Sequence, residues 1–308
     1  MQGKMMVIVN PVSANNRTGK LWPGYQERLK QAGIEFETVY TEYPRHAMSL
    51  AAEGLAKGFE RMMAVGGDGT ANEVINGLLK REDLMTPQFG LIIFSQGTGC
   101  DYIKSLGISN QLEDIIKIIR EGTTRLVDLG LVTYVTQESK EESRYFINLA
   151  NLGIGAETVY LVNKSTKFLG GFWTYLFGVL RAVFTYHNKQ VKLVIDDHQI
   201  LNEKINSVMV AKGEYIGGGI KIAPGSRLDN GKFKLIVLGD FGKLEIIANL
   251  AKAYRGLHLS HPKVSQFWGS RVSLESSEKM MIELDGEIVG FLPACFEIKI
   301  KRLPIRIA

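Results

Sequence analysis

One stretch constrains this chain more than any other: the apolar run Met62-Met63-Ala64-Val65 passes through Gly66-Gly67-Asp68-Gly69-Thr70 directly into a helical pattern. A short apolar run of this kind suits a parallel strand buried on both faces. Beyond the turn, Val74, Ile75, Leu78 and Leu79 recur on one helix face, and Thr70 stands where an N-cap hydroxyl is expected. A strand, a glycine turn and a helix start together present unpaired amide N–H groups and a positive dipole end, which is a site for phosphate. The glycines let a ligand approach the backbone closely. A bare glycine pair would ask for no ligand, but Asp68 changes that. A carboxylate beside a phosphate is repulsive unless a cation stands between them, so the loop calls for Mg2+ as well. The dinucleotide fingerprint is excluded, since Asn72 occupies its third glycine position, and no Gly-x-x-x-x-Gly-Lys-Ser/Thr loop occurs.

The flanking sequence repeats the same alternation. Met5–Val9, Phe36–Tyr40, Met62–Val65 and Phe89–Phe94 read as strands, and 25–32, 46–57, the stretch after Thr70 and 112–119 as helices. This order predicts an α/β domain, a parallel sheet with helices on its faces. Ligands of such sheets gather at the carboxyl ends of the strands. Four features fall there: Asn10-Pro11-Val12-Ser13, Thr41, the glycine loop, and Gly97-Thr98-Gly99-Cys100-Asp101. Their convergence on one edge argues for a nucleotide site.

Together these segments resemble the lipid-kinase branch that includes the bacterial diacylglycerol kinases, related to sphingosine kinases and NAD kinases. That branch shows an Asn-Pro-x-Ser-Gly opening, a threonine after the second strand, the Gly-Gly-Asp-Gly-Thr loop and a Gly-Thr-x-Asn-Asp segment. Here Ala14 replaces the usual glycine and Cys100 the usual asparagine. The resemblance implies that Asn10, Ser13, Thr41, Gly66, Gly67, Asp68, Gly69, Thr70, Asn72 and Thr98 surround ATP in a cleft between two domains, with Mg2+ near Asp68.

After Arg125 the character changes. Short strands follow one another at 126–134, 145–151, 191–195, 206–211, 233–238, 264–267, 272–274, 280–284 and 296–300, joined mostly by turns. This predicts a mainly antiparallel β-sandwich. At 308 residues two domains are expected, a nucleotide-binding one over 1–125 and 303–308 and a β-rich one over 126–302. The apolar stretch from Phe168 to Phe184 is interrupted by Gly170, Gly171 and Arg181, so it is read as a helix from about Phe172 rather than a membrane span. Packing on the sandwich and facing lipid both remain open for it.

Two acidic motifs close the site inventory. Asp229-Asn230-Gly231, after Gly217-Gly218-Gly219 and Pro224, reads as a hairpin turn between Leu228 and Phe233. It also resembles the family's Asp-Asp-Gly segment, which holds a structural Mg2+. Here the second aspartate is an asparagine, which offers an oxygen without charge, so a weaker or absent ion is expected. In Glu283-Leu284-Asp285-Gly286-Glu287 all three carboxyls would share a face of an extended strand, and crowding raises carboxyl pKa values. Asp285-Gly286 also suits a hairpin turn. The motif resembles the family's Asp-Gly-Glu, which implies Glu287 as the base that takes the acceptor proton and Asp285 as its partner.

The resulting expectation is an ATP- and Mg2+-dependent kinase of a lipid hydroxyl, diacylglycerol or a related lipid alcohol. The alternatives are an NAD kinase-like enzyme and a nucleotide-binding regulator that has lost catalysis. Cys100 and Cys295 suggest no disulfide framework, and the start of the chain lacks a signal-peptide pattern, so a cytoplasmic protein, peripheral on the inner membrane surface, is expected. The net charge of +5 suits an anionic membrane surface. Nucleic acid is not expected, because no zinc spacing, RNA-binding aromatic signature or dense basic block occurs. Strand-rich second domains often pair, which allows a homodimer. His258 and His261 read as surface histidines.

Overall fold

The computed structural model describes residues 4–97, 99–164 and 171–308. The chain divides into two compact units, one of residues 1–127 with 301–308 and one of 128–300.

In the first unit β1 (Met5–Val9) lies between β2 (Glu37–Tyr40) and β3 (Arg61–Gly66), and β4 (Gly90–Ser95) lies beside β3, all parallel. The end of β15 (Glu287–Ile307) joins β4 in parallel at Ile305. Every residue of β1, β3 and β4 is buried, as their unbroken apolar runs require of strands covered on both faces. The helices are α1 (Arg17–Gln31), α2 (His46–Ala56), α3 (Asp68–Lys80), α4 (Asp101–Leu106) and α5 (Leu112–Glu121). On α5, Leu112, Ile115, Ile118 and Ile119 are buried, which is the stripe the sequence spacing demands.

The second unit is a sandwich of mainly antiparallel strands. One sheet runs β12 (Val264–Gly269), β11 (Phe233–Leu238), β10 (Ser207–Ala211), β7 (Leu149–Gly153), β14 (Met281–Leu284), β15. The other carries β5 (Thr123–Val135) and β13 (Arg271–Glu275) on β15, with β6 (Glu141–Phe146) beyond β5 and β8 (Lys189–Ile195) and β9 (His198–Ile205) beyond β13. The period of two sorts β10 cleanly. Val208 and Val210 enter the core with Phe146, Phe233 and Phe296, while Met209 and Ala211 point to a second cluster with Leu149, Ile220, Ile222, Ile236 and Ala253. The helices of this unit are α6 (Ile154–Lys164), α7 (Gly171–Thr185) and α8 (Lys243–Tyr254).

Several local expectations change. The strand predicted over 145–151 is two strands, β6 and β7, because the backbone between them is diverted onto Asp285. No strand precedes Asn230-Gly231, so it is a turn into β11 rather than a hairpin; the carbonyl of Leu228 accepts from Asp128 N at 2.7 Å instead of joining a ladder. The helix expected near Phe172 is α7, and 165–170 lie outside the described residues. One side of α7 buries Ala182 and Val183, whereas Phe177 and Phe184 are exposed. Among the described residues no helix is long and apolar enough to cross a membrane.

Candidate active site

In the first unit the strand ends bring the predicted loops together through backbone bonds. Asn10 N donates to the carbonyl of Val65 at 2.9 Å, Thr41 N to that of Val9 at 2.9 Å, and Gln96 N to that of Gly66 at 2.6 Å. Asn10, Thr41, the glycine loop and the Gly97 segment thus share one edge. Thr98 lies outside the described residues. Gly67 and Gly97 face each other so closely that a Cβ on Gly97 would meet the Gly67 Cα at 2.8 Å. This contact calls for glycine at position 97, whereas a Cβ on Gly67, which has φ −88°, would meet Gly97 at an ordinary 3.6 Å.

Gly67, not Thr70, is the N-cap of α3. Thr70 lies in the first turn, buried, and its hydroxyl accepts from Asn10 Nδ2 at 3.0 Å. A Cβ on Gly66 would strike Thr70, so this packing needs the glycine. The first turn of α3 still directs its amides and dipole toward the loop. Asp68 tethers the loop to α4: its carboxylate accepts from Asp101 N at 3.0 Å and Tyr102 N at 3.5 Å. A carboxylate held at this loop is a hard oxygen donor of the kind that Mg2+ takes. Ser13 Oγ lies 2.5 Å from Thr18 Oγ1 and donates to the Asn10 carbonyl at 3.0 Å. Asn72 turns inward, its side-chain oxygen accepting from Asn76 Nδ2 at 3.1 Å.

The two departures from the family pattern both sit in left-handed backbone. Ala14 has φ 51° and Cys100 φ 50°. Glycine and asparagine adopt that region at lower cost, which is why they are usual there. Burial pushes the Cys100 thiol up, and its Sγ donates to the Gly97 carbonyl at 3.0 Å. Ala14→Gly is therefore expected to stabilise the protein by about 0.5–1 kcal/mol. Urea unfolding of the two proteins checks this, and an unchanged midpoint would show that the strain is absorbed elsewhere.

In the second unit, Asp285-Gly286 forms the β14–β15 turn with φ 47° and 95°, as a two-residue hairpin requires. The turn separates the three carboxyls that an extended strand would have aligned. Asp285 accepts from Ile147 N at 2.8 Å, Asn148 N at 3.0 Å and Leu149 N at 2.9 Å, which pins the turn to the start of β7. Glu283 is buried and bonded to Gly286 N; burial chiefly, with the Asp285 charge adding, pushes its carboxyl up to about 8. Glu287 pairs with Arg144, Nη2 to Oε2 at 2.8 Å, and its side chain keeps 40% of its exposure. Of the three, Glu287 is the carboxylate open to a reacting group.

Asn230 presents its Oδ1 to Lys212 Nζ at 3.2 Å and to Lys232 N at 3.2 Å, and Asp229 lies 3.7 Å from Arg227 Nε. An ammonium therefore already faces the amide oxygen expected to ligate Mg2+. Among the described residues no group of three His, Cys, Asp or Glu side chains is placed to hold a metal.

A feature the motifs did not announce is an apolar cavity on the outer face of β7, β10 and β11. It has a volume of about 130 Å³, opens to solvent, and is lined by Met209, Ile220, Ile222, Ile246, Leu250 and Ala253 among others. Its visible signal was β10, buried on both faces, and the unassigned amphipathic run that forms α8. Three buried acceptors on its wall, Asn206 Oδ1, Asn249 Oδ1 and His258 Nδ1, have no hydrogen-bond partner. His258, expected at the surface, is buried, with Nε2 2.9 Å from the Ile222 carbonyl; burial pushes its pKa down and keeps the ring neutral.

Residues 4–132 match the model of the diacylglycerol kinase catalytic domain, and residues 148–306 that of the YegS C-terminal NAD kinase beta sandwich-like domain. The chain is 31% identical over 297 residues to a diacylglycerol kinase of Staphylococcus carnosus, covering 96% of this chain and 92% of that one. The chain belongs to the diacylglycerol kinase catalytic-domain family. A diacylglycerol kinase of Bacillus subtilis is also 31% identical, over 293 residues, covering 94% and 91% of the two chains. A crystal structure of a diacylglycerol kinase from Bacillus anthracis aligns with a TM-score of 0.72 at 19% identity, over 99% of this chain and 97% of that one, which shows the shared fold. As a family member this protein is a lipid kinase, a phosphotransferase with an alcohol acceptor.

Proposed function

We propose that the protein transfers the γ-phosphate of ATP to the hydroxyl of a lipid alcohol, diacylglycerol first among the candidates. The observation that carries the acceptor class is the cavity: a largely apolar space in the second unit suits an acyl chain and suits a dinucleotide poorly. Its three unpartnered acceptors suit a hydroxyl or ester-bearing headgroup with its waters. Asn10, Ser13, Thr41, Gly66 to Thr70 and Asn72 form the nucleotide edge, with the α3 amides toward phosphate. Bound beside Asp68, Mg2+ would supply charge neutralisation to the phosphates.

The acceptor oxygen attacks the γ-phosphorus, the bond from that phosphorus to the β–γ bridging oxygen breaks, and ADP leaves with the electron pair. Glu287 takes the hydroxyl proton, held in orientation by Arg144, while Asp285 fixes the turn that carries it. The transfer asks the protein mainly for positioning.

Contact with a membrane follows from the same helices. Val179 of α7 and Ile246 and Leu250 of α8 line the cavity, while Phe177, Phe184, Leu244 and Ile247 are exposed on those helices. Lys243 lies over the Phe184 ring, so apolar and basic groups stand together as an anionic lipid surface requires. The peripheral location read from the sequence rests on this face.

A total lipid extract offered with labelled ATP and Mg2+, with NAD in a parallel reaction, tests the function, and mass spectrometry of the products names the acceptor. Phosphorylated NAD without phosphorylated lipid would replace this reading. Within it, Ala253→Phe is expected to displace about four chain methylenes at about 0.8 kcal/mol each, lowering kcat/KM for a long-chain acceptor about 200-fold. The KM for ATP should not move. Equal losses for short-chain and long-chain acceptors would place the chain elsewhere.

A further inference from the structure

Lys212 follows β10 and is wholly buried, as is its partner Asp128 on β5. Its ammonium donates to Asp128 Oδ2 at 3.0 Å, to Asn230 Oδ1 at 3.2 Å and to the carbonyl of Lys232 at 3.0 Å. Three protons meet three oxygens, so the group is satisfied. Gly231 N adds a bond to Asp128 Oδ2 at 2.8 Å. One carboxylate, one side-chain amide oxygen and one backbone carbonyl make up the set of hard donors that Mg2+ takes. Here they close at hydrogen-bond distances around nitrogen.

Charge balance makes the arrangement self-consistent. Lys212 and Asp128 cancel, Asp229, whose charge also reaches Lys212, has Arg227 beside it at 3.7 Å, and a neutral amide at position 230 adds no further charge. A second carboxylate there would leave a negative surplus, and a divalent ion beside the ammonium would suffer repulsion at a few ångströms. Burial pushes the Lys212 pKa down, and Asp128 pulls it back up through its hydrogen bond and charge. The asparagine that looked in the sequence like a weakened metal ligand is therefore the complement of a lysine eighteen positions earlier.

We propose that the Lys212 ammonium is a built-in cation that takes the place of a structural divalent ion in the second unit, holding the turn at 227–232 to β5 and β10 without metal. The proposal concerns this structural position alone and is independent of the ion that accompanies the nucleotide and of the acceptor's identity.

Thermal melting of the nucleotide-free full chain, in EDTA and in millimolar Mn2+, tests it. The wild-type protein is expected to melt at the same temperature in both. Lys212→Ala leaves Asp128 buried without its counter-charge and is expected to melt on the order of 10 °C lower in EDTA. Mn2+ should restore part of that loss by entering the vacated oxygens, and Asn230→Asp in the same background should increase the restoration. Should Lys212→Ala fold only when Mn2+ is supplied, the proposal is supported; failure to fold with Mn2+ present overturns it. So does a wild-type protein that EDTA destabilises and Mn2+ restores, with the restoration abolished by Asn230→Ala. A Lys212→Ala protein that melts like the wild type, or gains nothing from Mn2+, has the same consequence. No arm reads turnover, so failure of the lipid kinase reading leaves the result intact.

Discussion

Glu287→Gln is expected to lower kcat by about 10²–10⁴-fold, the usual contribution of a positioned general base. Glutamine keeps an oxygen for Arg144 and nearly the same volume, so the expected cost in stability is at most about 1 kcal/mol, as for other partly exposed ion pairs. The KM for ATP should stay within about twofold, because the lost group acts on the acceptor's proton. Steady-state kinetics and urea unfolding on the same preparations separate the two effects. Turnover within tenfold of the wild type, at unchanged stability, would reduce Glu287 to an ion-pair partner of Arg144. Asp285 supplies the contrast: its carboxylate holds three backbone amides, so Asp285→Ala should fail mainly through lost stability, by about 3 kcal/mol or more.

Raising the pH from about 5 to 8 should destabilise the protein through Glu283. Its folded pKa is about 8 against an ordinary value of 4.5, so the folded state keeps a proton that the unfolded state releases across that window. The stability is fully present below 4.5, declines as pH rises, and is lost once pH passes 8; the total is on the order of 5 kcal/mol. His258, whose pKa is pushed down, acts with opposite sign as pH rises toward 6.5, so the raw curve mixes both. Glu283→Gln isolates the carboxyl, since an amide oxygen can still accept from Gly286 N. The variant should match the wild type near pH 5 and exceed it near pH 8. Parallel stability curves for the two proteins would show that Glu283 ionises in the fold as it does in the unfolded chain.

Most of the first unit was legible in advance. Its parallel strands β1 to β4 were named within a residue or two: β1, β3 and β4 because a strand covered on both faces must be apolar throughout, and the half-exposed β2 from its place in the alternation. Asp285-Gly286 as a hairpin turn was legible for a similar reason, since few residue pairs accept two positive φ values. Other assignments failed where a distant group decided the outcome. Thr70 resembles an N-cap, yet α3 starts three residues earlier at Gly67, and the Thr70 hydroxyl is taken by Asn10, sixty positions away. Residues 145–151 resemble one strand, yet Asp285, more than a hundred positions away, captures three of its amides. His258 looks like a surface residue because its burial depends on the Ile222 carbonyl, which local pattern does not contain.

The amino-acid order on its own determined the parallel α/β unit, the sandwich that follows it and the glycine loop that a phosphate-binding kinase needs, because these depend on periodicity and turn stereochemistry within a few neighbouring residues. Only the tertiary structure decided that Glu283 is buried while Glu287 is open, that a cavity lies over β10, and that Lys212 faces Asn230. Those outcomes depend on which charges lose water and which find a partner, and that is settled by segments brought together from far along the chain.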